Sequence, residues 1–334
     1  MSATKLWRPV AASAVGLTVL AGCASPVPEP DPADPPAEAQ AALTQSQEED
    51  VRDAIAAALK AADEAEDAEE LKGRVDGPAL ATRKAQISVA AKADKESLVT
   101  DIPADVQQSV VPAFDGWPRT GLAVSVEAED SQSPRLMVVE QPDARADYEL
   151  WAWVKLFPDT TLPTFAESSV GSPPVAADDG DTLVMSPDDA LAQYIDVLNV
   201  GEDSSYADSF DDDLFRSLLE EQDKVLDEAL EPADGKHTTT FKKTDDALRS
   251  VRTVDGGAVV TGAMTAREKY TAEEGAKIQP QTDAEKALFG DEDASEKLNV
   301  DSIAMVSLFV PAADAEDQQV SVLGVERTTT KVSN

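Results

Sequence analysis

A single cysteine in 334 residues is the tightest constraint on what this chain can fold into. It excludes an internal disulfide and a cysteine-built zinc site, so the fold must be held by non-covalent contacts. One histidine likewise excludes a multi-histidine metal centre. Hydrophobic residues make up 42% of the chain, enough for real cores, but aromatics only 5%. Those cores must therefore be built mainly from Ala, Val and Leu. With 65 acidic against 28 basic residues the formal charge is -37, which repels phosphate backbones and argues against nucleic-acid binding.

The cysteine sits at a position that carries meaning. Lys5 and Arg8 form a basic start, and an apolar run of small residues follows from Val10 to Ala21. The run is too short to span a bilayer, which needs roughly 20 residues, and it reads as a signal peptide over residues 1–22. It ends in Leu20-Ala21-Gly22-Cys23. This resembles the lipobox of bacterial lipoproteins. The resemblance implies cleavage before Cys23, a covalent diacylglycerol on its sulfur, and attachment to the outer face of the cytoplasmic membrane. Two acyl chains anchor stably where one would be marginal. The body then needs no basic or amphipathic membrane surface of its own. Removing residues 1–22 takes away two bases and no acid, so the charge moves from -37 to -39.

Residues 23–45 read as a disordered, extended tether. Pro26, Pro28, Pro30, Pro32, Pro35 and Pro36 alternate with acids and forbid helix and ladder formation. The body beyond reads as α+β, with two tandem domains in which helices precede an antiparallel sheet. The first spans 46–170, a linker 171–185, and the second 186–334 with an acidic insertion near 271–299. Ser46 and Glu49 form a capping-box pattern that opens a helix running to about Leu71. A second helical run covers Pro78 to Ala93. Alternating runs around Leu122–Ala128, Leu136–Val139 and Tyr148–Phe157 read as strands. In the second half Ser186-Pro187-Asp188-Asp189 is a helix start, with serine as cap and acids in the first turn. Another helix begins between Ser209 and Asp213. Strands follow at 237–243 and around the Asp255-Gly256-Gly257 turn, and two more close the chain. The local echo of Val154–Phe157 in Val306–Phe309 suggests duplication. The helix-then-sheet order resembles the cystatin-like and nuclear-transport-factor-2-like arrangement. The layout as a whole resembles actinobacterial lipoproteins of unknown function, and neither likeness names an activity.

The search for chemistry is mostly negative. His237 stands at a strand start and reads as a structural or surface residue rather than a catalytic base. There is no nucleophile elbow, phosphate loop or dinucleotide fingerprint. The acid runs Asp178–Asp181, Asp211–Asp213 and Asp291–Asp293 fit no EF-hand loop, so no metal is assigned. Trp151 and Trp153 stand at strand spacing and form a candidate ligand pocket, the plainer alternative being that they fill a core. The expectation is a membrane-anchored, non-catalytic binding or interaction module with no cofactor beyond the lipid on Cys23. Its partners would be the cytoplasmic membrane and another envelope protein or a small ligand, with no nucleic acid. An envelope hydrolase using paired carboxylates and a purely structural envelope protein are the alternatives.

Overall fold

One antiparallel sheet organises the body because its apolar residues alternate over long runs that turn residues interrupt. The computed structural model describes residues 40–113, 116–131, 133–245 and 248–334. Leu20, Ala21, Gly22 and Cys23 of the lipobox, and the tether to residue 39, lie outside the described residues.

The chain begins with two helices, α1 (Gln45–Ala65) and α2 (Gly77–Ala93). The cap of α1 is Thr44 rather than the expected Ser46: its hydroxyl accepts the Gln47 amide, and Gln47 answers on the Thr44 backbone. Two boxes of the same kind stand two residues apart, and the earlier one wins because it adds helical hydrogen bonds. The helix ends at Ala65, with Glu66 left-handed, short of the expected Leu71. Four strands follow in a meander: β1 (Val106–Val110), β2 (Arg119–Ser125), β3 (Arg135–Gln141) and β4 (Glu149–Leu156).

The second half repeats the order. Helix α3 (Pro187–Val200) starts as expected, with the Ser186 hydroxyl accepting the Asp189 amide. Helix α4 (Leu214–Leu230) is capped by Asp213. Then come β5 (Lys236–Lys243), β6 (Arg249–Arg252), β7 (Ala258–Thr271), a short helix α5 (Asp283–Phe289), β8 (Lys297–Val310) and β9 (Ser321–Ser333). The acidic insertion is thus not all polar loop. Phe289 of α5 is buried with Tyr270, Leu298, Val300 and Val332 in a small core of its own.

The two helix-then-sheet halves share one sheet. Its order is β1-β2-β3-β4-β9-β8-β7-β5, with β6 pairing β7 beside β5. The halves join where Lys155 faces Val325 and Leu156 faces Gly324. A side chain at Gly324 would run into the Lys155 carbonyl, so only glycine lets β4 and β9 approach there. The upper edge of β4 is closed by residues 74–76 instead: Leu150 donates to the Arg74 carbonyl at 2.8 Å, and Asp76 donates to the Leu150 carbonyl at 3.0 Å. The segment read as a linker is a hydrogen-bonded strap. Ser172 donates to the Val111 carbonyl at 2.9 Å and Val175 to that of Ser250 at 3.0 Å, so it is tied to both halves. Two main cores result. The first gathers α1, α2 and β1–β4 but also takes Val251, Val259, Met305 and Leu323 from the second half. The second lies under α3 and α4. Residues Glu38–Asn334 accordingly form one unit.

Candidate functional site

Trp151 and Trp153 fill the first core. They are 4% and 0% exposed, and neither lines the clefts described below, which corrects the expected ligand pocket. For Trp151 the strand pairing contributes. Val138 pairs with Ala152 and Val139 with Leu150, so Trp151 is the extra residue of a β-bulge and the plain two-residue spacing is broken. Its ring lies against Gly77, where an added Cβ would meet the indole nitrogen at 2.6 Å. The Arg249 guanidinium stacks 4.5 Å from the same ring, and it pairs with Glu140 of β3. Together they bolt β6 onto the first half.

A cleft of about 700 Å³ opens between the C-terminal halves of α1 and α2 and the segment 94–102. Leu59, Ile87, Ala90 and Val99 give it apolar walls. Its base is a polar network that crosses between the halves. Arg83, only 3% exposed, grips Asp63 with two prongs, Nε to Oδ1 at 3.0 Å and a terminal nitrogen to Oδ2 at 2.5 Å. Its other terminal nitrogen donates to the Thr100 carbonyl at 2.6 Å. Gln86 donates to the hydroxyls of Thr100 at 2.6 Å and of Thr328 at 3.1 Å, and the Thr100 hydroxyl donates to Glu326 at 2.7 Å. Arg135, 1% exposed, holds both oxygens of Asp130 at 2.6 and 2.7 Å and reaches the Asp101 carbonyl at 3.3 Å. The segment roofing the cleft is thereby fixed to β3 and β9.

Burial sets the electrostatics of this network. It raises the pKa of Asp63 against the opposing pull of Arg83, and lowers that of Arg83 against Asp63. It raises that of Glu326 as well, against the Thr100 hydrogen bond and the charge of Arg135. Asp63 lines the cleft, but both its oxygens are occupied by one guanidinium. The pair ties the walls together and presents a fixed surface rather than a free acid.

A second cleft, of about 720 Å³, lies between the end of α3 and α4. Behind it sits a cluster that sequence reasoning missed. His237, whose side chain is 1% exposed, places Nδ1 3.0 Å from Asp223 of α4 and Nε2 3.4 Å from Glu268 of β7. Glu268 also pairs with Arg327 of β9 and accepts from Tyr270 at 2.8 Å and Gln222 at 3.1 Å. Burial alone would raise Glu268, but His237, the Arg327 charge and the Tyr270 hydroxyl overcome it and hold its pKa at about 2. The strand start at His237 and the helix α4 were both readable; that the helix covers the histidine was not.

Two of the three acid runs carry structural contacts. Asp179 accepts from Thr182 at 2.7 Å and from Arg252 at 2.7 Å, and these contacts lower its pKa, the Thr182 hydroxyl first. Asp213 caps α4 and accepts from the Tyr194 hydroxyl at 3.2 Å and from Arg216 Nε at 2.6 Å. Among the described residues no three His, Cys, Asp or Glu side chains come together as a metal-binding group.

Over residues 39–334 the sequence matches the family described as Domain of unknown function (DUF8094). The chain belongs to that family. The family's span takes in both halves, in keeping with their shared sheet. The chain is also 28% identical over 216 residues to an "Uncharacterized lipoprotein" of Streptomyces avermitilis, a match that covers 64% of this chain and 62% of that protein. No solved structure matches the chain. Among the described residues no helix is long and apolar enough to cross a membrane.

Proposed function

We propose that this protein is a lipid-anchored module on the outer face of the cytoplasmic membrane that binds a small ligand or an envelope partner without catalysis. The anchor is Cys23 in its lipobox, and the likeness to a Streptomyces lipoprotein supports that reading. Each half reads as a cystatin-like or nuclear-transport-factor-2-like unit on the strength of its helix-then-sheet order. The observation that carries the binding role is the cleft between α1, α2 and segment 94–102. Its volume of about 700 Å³ is of ligand size. Its polar base is already satisfied internally, so the walls are held in place before anything binds and little ordering cost remains.

A photo-crosslinking residue placed at Ala91, which lines the cleft, tests this in intact envelopes; Ala57, exposed on α1 outside it, is the control. A discrete adduct at position 91 that is absent at 57, and that disappears when Ala56→Trp fills the cleft, is the expected result. Equal labelling at both positions, or an adduct at 91 that survives Ala56→Trp, would overturn the proposal.

A further inference from the structure

The sheet carries a charged face that composition conceals. Where β5, β7, β8 and β9 run side by side, residues directly opposite one another share a face. Thr240, Arg267, Asp301 and Lys331 make one row, and Thr238, Lys269 and Asn299 the next. Lys236, Thr271 and Lys297 follow, and Lys242 stands opposite Thr265 at the other end. These rows hold six bases and one acid, in a chain whose acids outnumber its bases 65 to 28. All six bases are exposed. Asp301 pairs with Arg267, and the five lysines enter no ion pair among the described residues. Threonine and asparagine fill the remaining places, so the face offers charge and hydroxyls rather than an apolar groove.

The other side of the same strands is the reverse. His237 and Glu268 alternate with these residues and meet Asp223 and Gln222 of α4. That helix carries five acids against two bases. This part of the body is therefore polarised across the sheet, and its basic side is complementary to an anionic partner. The anchor brings one within reach. The chain enters the body beside β1, where Ala41 bridges Ala113, and residues 23–39 lead there from Cys23. Seventeen residues reach at most about 60 Å. From β1 to β5 the sheet is about 34 Å wide, at about 4.8 Å per strand. The anchor thus leaves the basic face free to turn to the bilayer.

We propose that the exposed face of β5, β7, β8 and β9 lies against the anionic phospholipid headgroups of the membrane that holds the anchor, with α4 turned outward. This orientation rests on the lipid anchor at Cys23. Screening is what lets so acidic a body approach. At physiological salt, attraction and repulsion extend only about 8 Å, so the bilayer senses the surface laid on it and hardly the acids behind. Each lysine near an anionic leaflet adds to the attraction, whereas the acids of α4 are repelled. The cleft beside α4 then opens away from the membrane.

Energy transfer from a dye on the protein to an acceptor lipid in vesicles tests this. With Cys23 acylated, an added cysteine is the only free thiol. Thr240→Cys labels the basic face, and Ala229→Cys, exposed on α4, labels the other side. On vesicles rich in phosphatidylglycerol at about 0.1 M salt, transfer at 240 should exceed that at 229 by about twofold or more. On phosphatidylcholine, or at about 0.5 M salt, the two should be alike. The triple variant Lys242→Glu, Lys269→Glu, Lys331→Glu should lose the difference while staying on the vesicles; these side chains are exposed, so the fold is kept. Cys23→Ser with a histidine tag on nickel-chelating lipid repeats the measurement without the natural anchor. A preference in the tagged form supports the face even if the acylated form fails to attach, an outcome that would refute the anchor alone. Equal transfer at the two positions on phosphatidylglycerol with either anchor, or a preference untouched by the triple variant, would overturn the proposal. Equal transfer together with binding of soluble polyphosphate that the triple variant loses would overturn it in favour of an anionic polymer.

Discussion

Replacing Arg83 with methionine isolates the value of the network under the first cleft. Methionine keeps the length and much of the apolar stem, so packing is nearly conserved and the charge-assisted hydrogen bonds are what is lost. Four contacts go: two to Asp63, one to the Thr100 carbonyl and a longer one, 3.4 Å, to the Gln86 side-chain oxygen. Removing one partner of a buried pair costs about 3–5 kcal/mol, because the other charge is left without compensation. Asp63 is 29% exposed in its side chain, so water recovers part of that loss. The expected cost is therefore about 2–3 kcal/mol, which for a body of roughly 300 residues is a fall in Tm of about 3–5 °C. Urea unfolding followed by tryptophan fluorescence measures it, since Trp151 and Trp153 are buried in the same core. The midpoint should fall with the slope unchanged. Adding Asp63→Asn should restore at least about 1 kcal/mol, because an uncharged partner no longer waits for its guanidinium. A single variant within about 0.5 kcal/mol of wild type, or a double variant that loses the full sum, would show that the network does not brace the cleft.

Gly324→Val should push β9 off the Lys155 carbonyl and open the only direct β4–β9 pairing among the described residues, costing about 3 kcal/mol and raising exchange at Leu156 and Val325 before that at β7 and β8. Glu268 is held at about 2 against an ordinary 4.5, a depressed carboxyl, so its contribution is complete above about pH 4.5 and is lost as pH falls toward 2. That difference corresponds to about 3 kcal/mol, so Glu268→Gln should flatten the acid limb of a stability-against-pH curve between pH 4.5 and 2; an unchanged limb would count against it. Cys23→Ser should move the protein from the detergent phase to the aqueous phase in a phase-partition assay and abolish labelling by a fatty-acid probe. Continued membrane retention would place the anchor elsewhere.

What could be read in the sequence was local. Ser186-Pro187-Asp188-Asp189 starts a helix through contacts within four residues, and the turn at Gly256 needs only its own positive φ of 86°. Both were visible without knowing what lies beside them. The cap of α1 was harder because Thr44–Gln47 and Ser46–Glu49 offer the same chemistry, and only the two further helical residues decide between them. The bulge at Trp151 depends on the register against β3 and so on a neighbouring strand, not on Trp151 itself. The β4–β9 junction rests on two residue pairs some 170 positions apart, with Gly324 as its one local sign. His237 was placed at a strand start, but its role comes from Asp223 on a helix and Glu268 on a strand that no short-range pattern brings to it.

The net charge of the body takes on a different meaning once its basic residues are placed. Arg83, Arg135, Arg249 and Arg327 are buried or half-buried and each is paired with a carboxylate. Each such pair is neutral, so the whole net negative charge of the body falls on the outer shell. Two electrostatic terms then respond differently to salt. Repulsion among exposed carboxylates acts over a screening length of about 30 Å at 0.01 M, which shrinks to a few ångströms near 0.5 M. The interior arginine pairs, being shielded from water, are screened far less. Added salt therefore relieves the repulsion while sparing the pairs, and Tm should rise by several degrees from 0.01 to 0.5 M sodium chloride. The fourfold interior pairing is what the sign depends on. A Tm that falls with salt would mean that those arginines are reached by ions, and that the bracing assigned to them is surface chemistry.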